Sequence, residues 1–363
     1  MYEFIENTLL PHISGLWTLP WILVGFILTI IIAKITGREK IDKLMKKIGL
    51  VILYFFVPVL IFRIFLNTPF GEEEVIFAAL TSIIILAMYI IAFIYAKYNI
   101  KKSRIPPNKK NLFLKTILTN QGRSSAFIGS MMLGIAALKV YAAIFMALVG
   151  IALFAIIPFL LSHMHAKETE KKKDENKNPL PWFLKLYPWY LIIFVSLGII
   201  MQLYLGPVPA DFKGPLSQYL IGKELNIIWG LYTAITIPAA LYYVGAGIHP
   251  TDLKKSELKK LIGLDKKKEK SDHWSWVRKT FLLTVIITPL ILGLFFGLLL
   301  LFNFPLSWFI VIIINIFLPI TSTNMFLIPY GIDKKTTAHA VTWTTLVCVP
   351  IVVILITILG PMV

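Results

Sequence analysis

Two polar clusters interrupt otherwise apolar runs of this chain, and their residue types suit the capture of an anion. The first is TNQGRSSAFIG, where Arg123 is flanked by Asn120, Gln121, Ser124 and Ser125. Lys115 and Lys139 bracket Arg123 almost symmetrically, which sets it near the middle of its run. An unpaired guanidinium at that depth costs at least ~2.5–3.5 kcal/mol on insertion scales, so a partner or an aqueous cavity must offset it. Gly122 lowers helix propensity by about 1 kcal/mol against alanine. A break there frees backbone groups to face a cavity. The alternative is that Arg123 pairs with carbonyls at a helix kink.

The second cluster is INIFLPITSTNMFLIPYG. Pro319 lacks an N–H and clashes with the preceding turn, so it breaks the helix. Thr321, Ser322, Thr323 and Asn324 follow directly, in the first turn of a new half-helix, where free N–H groups and the positive dipole end favour anions. A single hydroxyl in an apolar helix commonly bonds back to its own backbone. The cluster after Pro319, taken with its counterpart around Arg123, reads as a solute site. Pro58 in FFVPVLIF and Pro238 in ITIPAALYYVG break two further runs and shape the surroundings.

Other chemistry is poorly served. No GxxxxGK[ST] or HExxH occurs, and no Ser/His/Asp grouping falls inside an apolar run, so neither a nucleotide motor nor an enzyme is expected. Every acidic residue lies in a terminus, a connection or a helix end, which disfavours an antiporter working through a buried carboxylate pair. His163 and His165 make a poor metal site on their own, and Cys348 is the single cysteine, so no metal, cofactor or disulfide is expected. His339, near the start of the last run, is the one candidate internal proton carrier.

The elements that must position these residues are membrane helices. The chain is 57% hydrophobic with a mean hydropathy of +0.78, well above the roughly 45–50% apolar usage of soluble domains. Ten apolar runs reach the ~20 residues that a bilayer core requires: 15–35, 48–66, 75–96, 112–136, 140–163, 188–206, 225–248, 280–302, 307–330 and 338–360. With no water to bond their backbone, each must be helical. The formal charge of +17 sits in the connections rather than on a packed face, which excludes nucleic acid as a partner. Lysine and arginine crowd the odd-numbered connections, such as KETEKKKDENK and KKSELKKLIGLDKKKEK. Alternate connections hold only Arg63, Lys139, Lys213 and Lys223. The positive-inside rule then makes the odd connections cytoplasmic and puts both termini outside. The N-terminus has no basic n-region, so the first run is expected to be a retained span.

Five spans in 1–163 and five in 188–363 flank a basic cytoplasmic loop at 164–187. An odd number forces two copies into opposite orientations, the inverted-repeat plan. SSAFIGSMMLGIAALKVYAAI lies on TSTNMFLIPYGIDKKTTAHAV in a register that pairs Gly134 with Gly331, Ser125 with Ser322 and Gly122 with Pro319. Gly293 and Gly297 form a GxxxG expected to mark close helix packing. Residues 251–264 read as a short helix on the membrane surface, with lysines meeting anionic headgroups, and Trp182, Trp189, Trp274 and Trp276 as interfacial anchors.

Three stretches resemble the auxin efflux carrier family of membrane transporters. FFVPVLIFRIF is similar to its leucine/proline-rich element. LPITSTNMFLIPYG, continuing to TTLVCVPIVVILI, is similar to its C-terminal pattern, and SSAFIGSMM aligns with its Asn-Thr-Gly-Phe-Ile-Gly-Leu-Pro. The family Asn falls on Ser124, its Gly on Ala126 and its Pro on Met131, while Arg123 maps to no general family residue. The resemblance implies a fold shared with bile acid/sodium symporters: a scaffold domain and a core domain whose broken helices 4 and 9 cross at mid-membrane, the core moving elevator-fashion. It also implies a small organic anion bound beside Ser124, Ser125, Pro319 and Asn324.

The expectation is therefore an all-α, ten-helix membrane protein of the cell membrane, built from two inverted five-helix repeats. It would be a secondary transporter or facilitator of a small organic anion, held by Asn120, Gln121, Arg123, Ser124, Ser125, Thr321, Ser322 and Asn324. The alternative is a sodium-coupled symporter of the bile-acid type. Sodium or proton coupling and a homodimeric assembly stay open, and membrane lipid is the other partner.

Overall fold

The computed structural model describes residues 2–5, 10, 18, 20–68, 70–103, 105–126, 128–169, 181–205, 214–264 and 273–363. Residues 170–180 of the basic loop expected at 164–187, the lysine run at 265–270, Arg104 and Lys213 lie outside them, as do most of the first fourteen residues and the side chain of His165. The described chain is almost entirely helical. Its principal helices are α1 (Pro20–Thr36), α2 (Arg38–Leu66), α3 (Glu72–Lys102), α4 (Lys110–Thr119), α5 (Lys139–Met164), α6 (Trp182–Leu205), α7 (Leu216–Ala246), α8 (His273–Phe302), α9 (Leu306–Phe317) and α10 (Lys334–Leu359). Among the described residues, seven of these (α2, α3, α5, α6, α7, α8 and α10) are long and apolar enough to cross a membrane. The outward faces carry Ile83, Leu86, Leu197, Leu203, Leu294 and Phe295, all well exposed. The apolar excess is therefore on the outside, where lipid, not water, is the compatible solvent.

The ends of the helices follow from local chemistry. At α3 the Glu74 carboxylate accepts from the Gly71 N–H at 2.8 Å, Glu72 and Glu73 join it in the first turn, and Lys101 and Lys102 close the last. Both ends match the helix dipole. At α10 the Asp333 side chain accepts from the N–H groups of Lys335 and Thr336, an N-cap. Three helices carry an internal π turn: Ile52–Phe56 in α2, Ala152–Ile156 in α5 and Leu283–Ile287 in α8. Each ends two residues before a proline, Pro58, Pro158 or Pro289. Widening the turn relieves the clash between a proline ring and the carbonyl four residues back. Pro58 and Pro238 sit buried inside their helices and neither breaks its run; the break in α7 is at Gly222, whose φ of 79° interrupts the helix well before Pro238.

Packing divides the helices into two groups. In the first, α1 lies against α7 and α2 against α6, with α2 and α7 also in contact. The approach is close: a Cβ on Gly25 of α1 would fall on the Tyr242 carbonyl of α7, one on Gly245 on the Ile22 carbonyl, and one on Gly198 of α6 would stand 3.0 Å from the Phe62 carbonyl of α2. In the second group, α3 packs on α4 and α5, while α8 packs on α9 and α10. Helix α5 touches both groups.

Some local expectations are corrected. Gly297 has nothing within 4 Å of where a Cβ would lie, so the GxxxG of α8 does not mark a close crossing, and Gly25, Gly198 and Gly245 do. Trp274 and Trp276 are buried at 5% and 3% exposure, because α8 turns them against His339 and Phe113 rather than outward. Residues 251–264 form two pieces, a 3-10 turn at Pro250–Leu253 and a helix at Lys255–Ile262, the latter leaving Leu258 and Ile262 exposed.

Candidate functional site

Both polar clusters fall where a helix stops. Helix α4 ends at Thr119 and α9 at Phe317. A short extended piece follows each, at 122–124 and 319–321, and the chain resumes as 3-10 helices at Gly129–Gly134 and Ser322–Tyr330, not as the α-helical half expected after Pro319. The two extended pieces lie antiparallel, with Arg123 bridged to Ile320. Ser124 N–H donates to the Pro319 carbonyl at 3.0 Å, and Thr321 N–H donates to the Gly122 carbonyl at 2.9 Å. Ile320 N–H finds the Thr344 hydroxyl at 3.2 Å. Each interruption thereby supplies the other's missing backbone partners, which a buried break requires. Gly122 is needed for space: a Cβ there would stand 2.6 Å from Asn324 Oδ1 and 3.0 Å from Leu153 Cδ1.

Arg123 is 2% exposed. One terminal nitrogen donates to the Leu318 carbonyl at 3.3 Å and the other to the Thr284 carbonyl at 3.4 Å, while Nε has no partner. Thr284 belongs to the π turn of α8, where Thr288 N–H bonds back to Leu283. The next donor in that pattern would be Pro289, which has no N–H, so the Thr284 carbonyl is left for Arg123. The kink-carbonyl pairing foreseen for Arg123 is thus present. Both bonds are long and weak, and no carboxylate pairs with the guanidinium among the described residues. Its positive charge therefore stays uncompensated. Arg123 borders a small cavity of ≈ 20 Å³ with Thr321, Thr323, Leu153 and Tyr187.

The other expected residues divide. Asn324 and Gln121 are buried with both polar side-chain atoms unpartnered, and Asn120 donates to the Thr337 hydroxyl at 3.4 Å while its Oδ1 is unpartnered. Ser125 turns away and donates to Asn315 Oδ1 at 2.8 Å, a bond between α9 and the crossing. Thr321 caps its 3-10 helix, its hydroxyl 2.9 Å from that of Thr323. Ser124 and Ser322 line a second cavity of ≈ 30 Å³ with Thr342, Thr345 and Val244. Pro58 and Pro238 line neither cavity, though Val57 and Val244 of the same helices do. Thr284 and Thr342 escaped the reading of the sequence. Only a proline five positions on marks the first, and nothing local marks the second. Asn315, by contrast, stands out in WFIVIIINIF as the lone amide of that run.

Each cavity has room for about a water molecule. What the crossing offers chemically is a fixed cation, several orphaned amides and two facing backbone turns, all shielded from solvent. No protein-family model and no curated protein matches the chain, so these residues carry the functional reading themselves.

Proposed function

We propose that the protein is a secondary transporter or facilitator of a small organic anion, of the efflux-carrier type, which binds its solute beside the crossing of α4 and α9. The observation that carries this reading is Arg123: buried, without a carboxylate partner among the described residues, and in the same crossing as the unpartnered amides of Gln121 and Asn324. A buried charge without a counter-ion is costly unless a ligand supplies one. A carboxylate-bearing solute does so, with Asn324, Ser322 and Thr321 left to orient the remainder.

The reading extends to ten spans in two inverted repeats, with both termini outside the cell membrane and the basic connections cytoplasmic. Several features support the repeat. The register that sets Gly122 opposite Pro319 also sets Ser124 opposite Thr321 and Arg123 opposite Ile320, so the two bridging hydrogen bonds exchange into each other. Pairing Pro58 with Pro238 sets Phe62 opposite Tyr242, the carbonyls approached by Gly198 and Gly25. Helices α1, α2, α6 and α7 would form the scaffold, and the remainder the core. Ligand sites are commonly ≈ 300–1,000 Å³, so cavities of 20 and 30 Å³ require core and scaffold to part before a solute enters. That agrees with elevator motion, in which the core carries its site past the scaffold.

The test is counterflow in liposomes with a panel of labelled organic acids. For a transported acid, Arg123→Ala is expected to lower uptake at least tenfold. Unchanged rate and apparent affinity would sink the role given to Arg123. A second reading, sodium-coupled symport of the bile-acid type, is favoured by the unpartnered oxygens of Asn120, Gln121 and Asn324, which could cage a cation without carboxylates. Replacing sodium by choline separates the two: abolished uptake selects the symporter.

A further inference from the structure

A cluster of histidines and carboxylates lies at the end of the second cavity, where α10 meets the turn after α7. His339 stands in the second turn of α10, with Nδ1 3.0 Å from the Lys335 carbonyl and Nε2 3.6 Å from Asp252 Oδ1. Both neighbours only accept. A neutral imidazole carries one N–H, so it satisfies one neighbour and turns a lone pair on the other, whereas the imidazolium serves both. The side chains of His339 and Asp252 are 20% and 17% exposed, enough for protons to arrive from water. The Trp274 ring, 4.9 Å from that of His339, adds an aromatic edge-to-face contact.

Asp252 joins this ring to the cavity. Its second oxygen accepts from the Thr342 hydroxyl at 3.3 Å, and Thr342 lines the cavity with Ser124 and Ser322. Asp252 follows α7 of the first helix group, and His339 and Thr342 belong to α10 of the second, so the contact joins the two groups.

The neighbouring histidines are engaged elsewhere. His249, three residues before Asp252, faces Asp42 of α2 at 3.6 Å, but Arg38 already holds Asp42 at 2.9 Å and donates to the Ala246 carbonyl at 3.0 Å. Burial, and then Arg38, hold His249 below the ordinary imidazole value, against the opposing pull of Asp42 and Asp252. His273 of α8, ring to ring with His339 at 4.9 Å, has its Nδ1 3.3 Å from the Thr336 hydroxyl, which donates to Asp333.

We propose that His339 is a proton-binding site that latches the two helix groups: protonated, it pairs with Asp252 and keeps the cavity beside Ser124 and Ser322 shut. Losing the proton releases Asp252 and lets α10 part from the end of α7. Its use in coupling solute movement to protons rests on the transport reading above, but the latch itself does not.

The experiment needs no solute. In the full chain with Cys348→Ala, Ser322→Cys serves as the reporter, and Ser103→Cys, at an exposed position, serves as a separate control. Maleimide labelling rates at pH 5.5 and 7.5 are taken as the ratio of reporter to control. The ratio is expected to be at least threefold lower at pH 5.5 than at pH 7.5. In His339→Gln and in Asp252→Asn it is expected to be high at both values, and in His339→Arg low at both. A pH-independent ratio in the parent chain, or the parent's pH dependence surviving in His339→Gln or Asp252→Asn, overturns the latch. If anions are counterflowed but the ratio ignores pH, the latch alone fails. If labelling behaves as expected and no anion moves, the transport reading alone fails.

Discussion

Asn324 is buried with neither amide atom bonded, a cost of about 1–3 kcal/mol per group when no ligand is present. Removing it should therefore help the empty protein and harm the working one. Asn324→Ala is expected to raise the melting temperature in detergent while abolishing solute-induced thermal shift and counterflow. A lower melting temperature would mean that the amide already has a structural partner. Gly122 offers the converse. Gly122→Ala drives a methyl group into Asn324 and Leu153, and overpacking of that kind costs typically 1–3 kcal/mol. The double variant with Asn324→Ala is expected to recover most of that loss. His249 gives a pH dependence whose sign can be worked out. Its folded value is lowered by burial and Arg38, so below about pH 6.5 the unfolded chain binds more protons than the folded one. The stability that neutral His249 contributes is present above that pH and lost as acidity rises. The melting-temperature advantage of the parent over His249→Gln is expected to shrink between pH 7.5 and pH 5.5.

Helix α8 illustrates how a local break becomes a distant contact. Pro289 removes the donor that the Thr284 carbonyl would have met, and Arg123 of the crossing takes its place. Pro289→Ala restores that N–H. Arg123→Met should then cost less stability than in the parent chain, and a double-mutant cycle is expected to give a coupling of roughly 0.5–3 kcal/mol. Zero coupling would show that the guanidinium does not depend on the orphaned carbonyl. At this scale the sequence was a fair guide to where helices lie, since apolar length in lipid leaves little choice. It was also a fair guide to the interruption at Gly122 and Pro319. The type of helix beyond each break was not legible, because 3-10 and α geometry differ little in residue preference. Nor was the burial of Trp274 and Trp276, which depends on which way α8 faces. The partner of Arg123 lay hidden because it is a backbone atom made available by a proline in a different helix.

Across the whole molecule, tight helix contacts rest on glycines that no spacing motif announces. A side chain at Gly245 would meet the backbone of α1 at Ile22, where no rotamer change can make room. Gly245→Val is expected to separate α1 from α7 and lower the melting temperature by several degrees, whereas Gly297→Val, facing open space, should be near neutral. The two-group packing was legible only as an expectation from the family resemblance, because hydropathy reports which faces are apolar and not which apolar faces meet.

The exchange of hydrogen bonds between residues 122–124 and 319–321 also sets an order of events during synthesis. Until the ribosome has delivered α9, the unpaired amides and carbonyls of the earlier segment stand in hydrocarbon at several kcal/mol per group. The nascent first half must wait with that stretch shielded by a chaperone, by water drawn into the bilayer or by incomplete insertion. Native structure at the centre is completed only once Pro319 and Thr321 have followed Gly122 and Ser124 out of the ribosome.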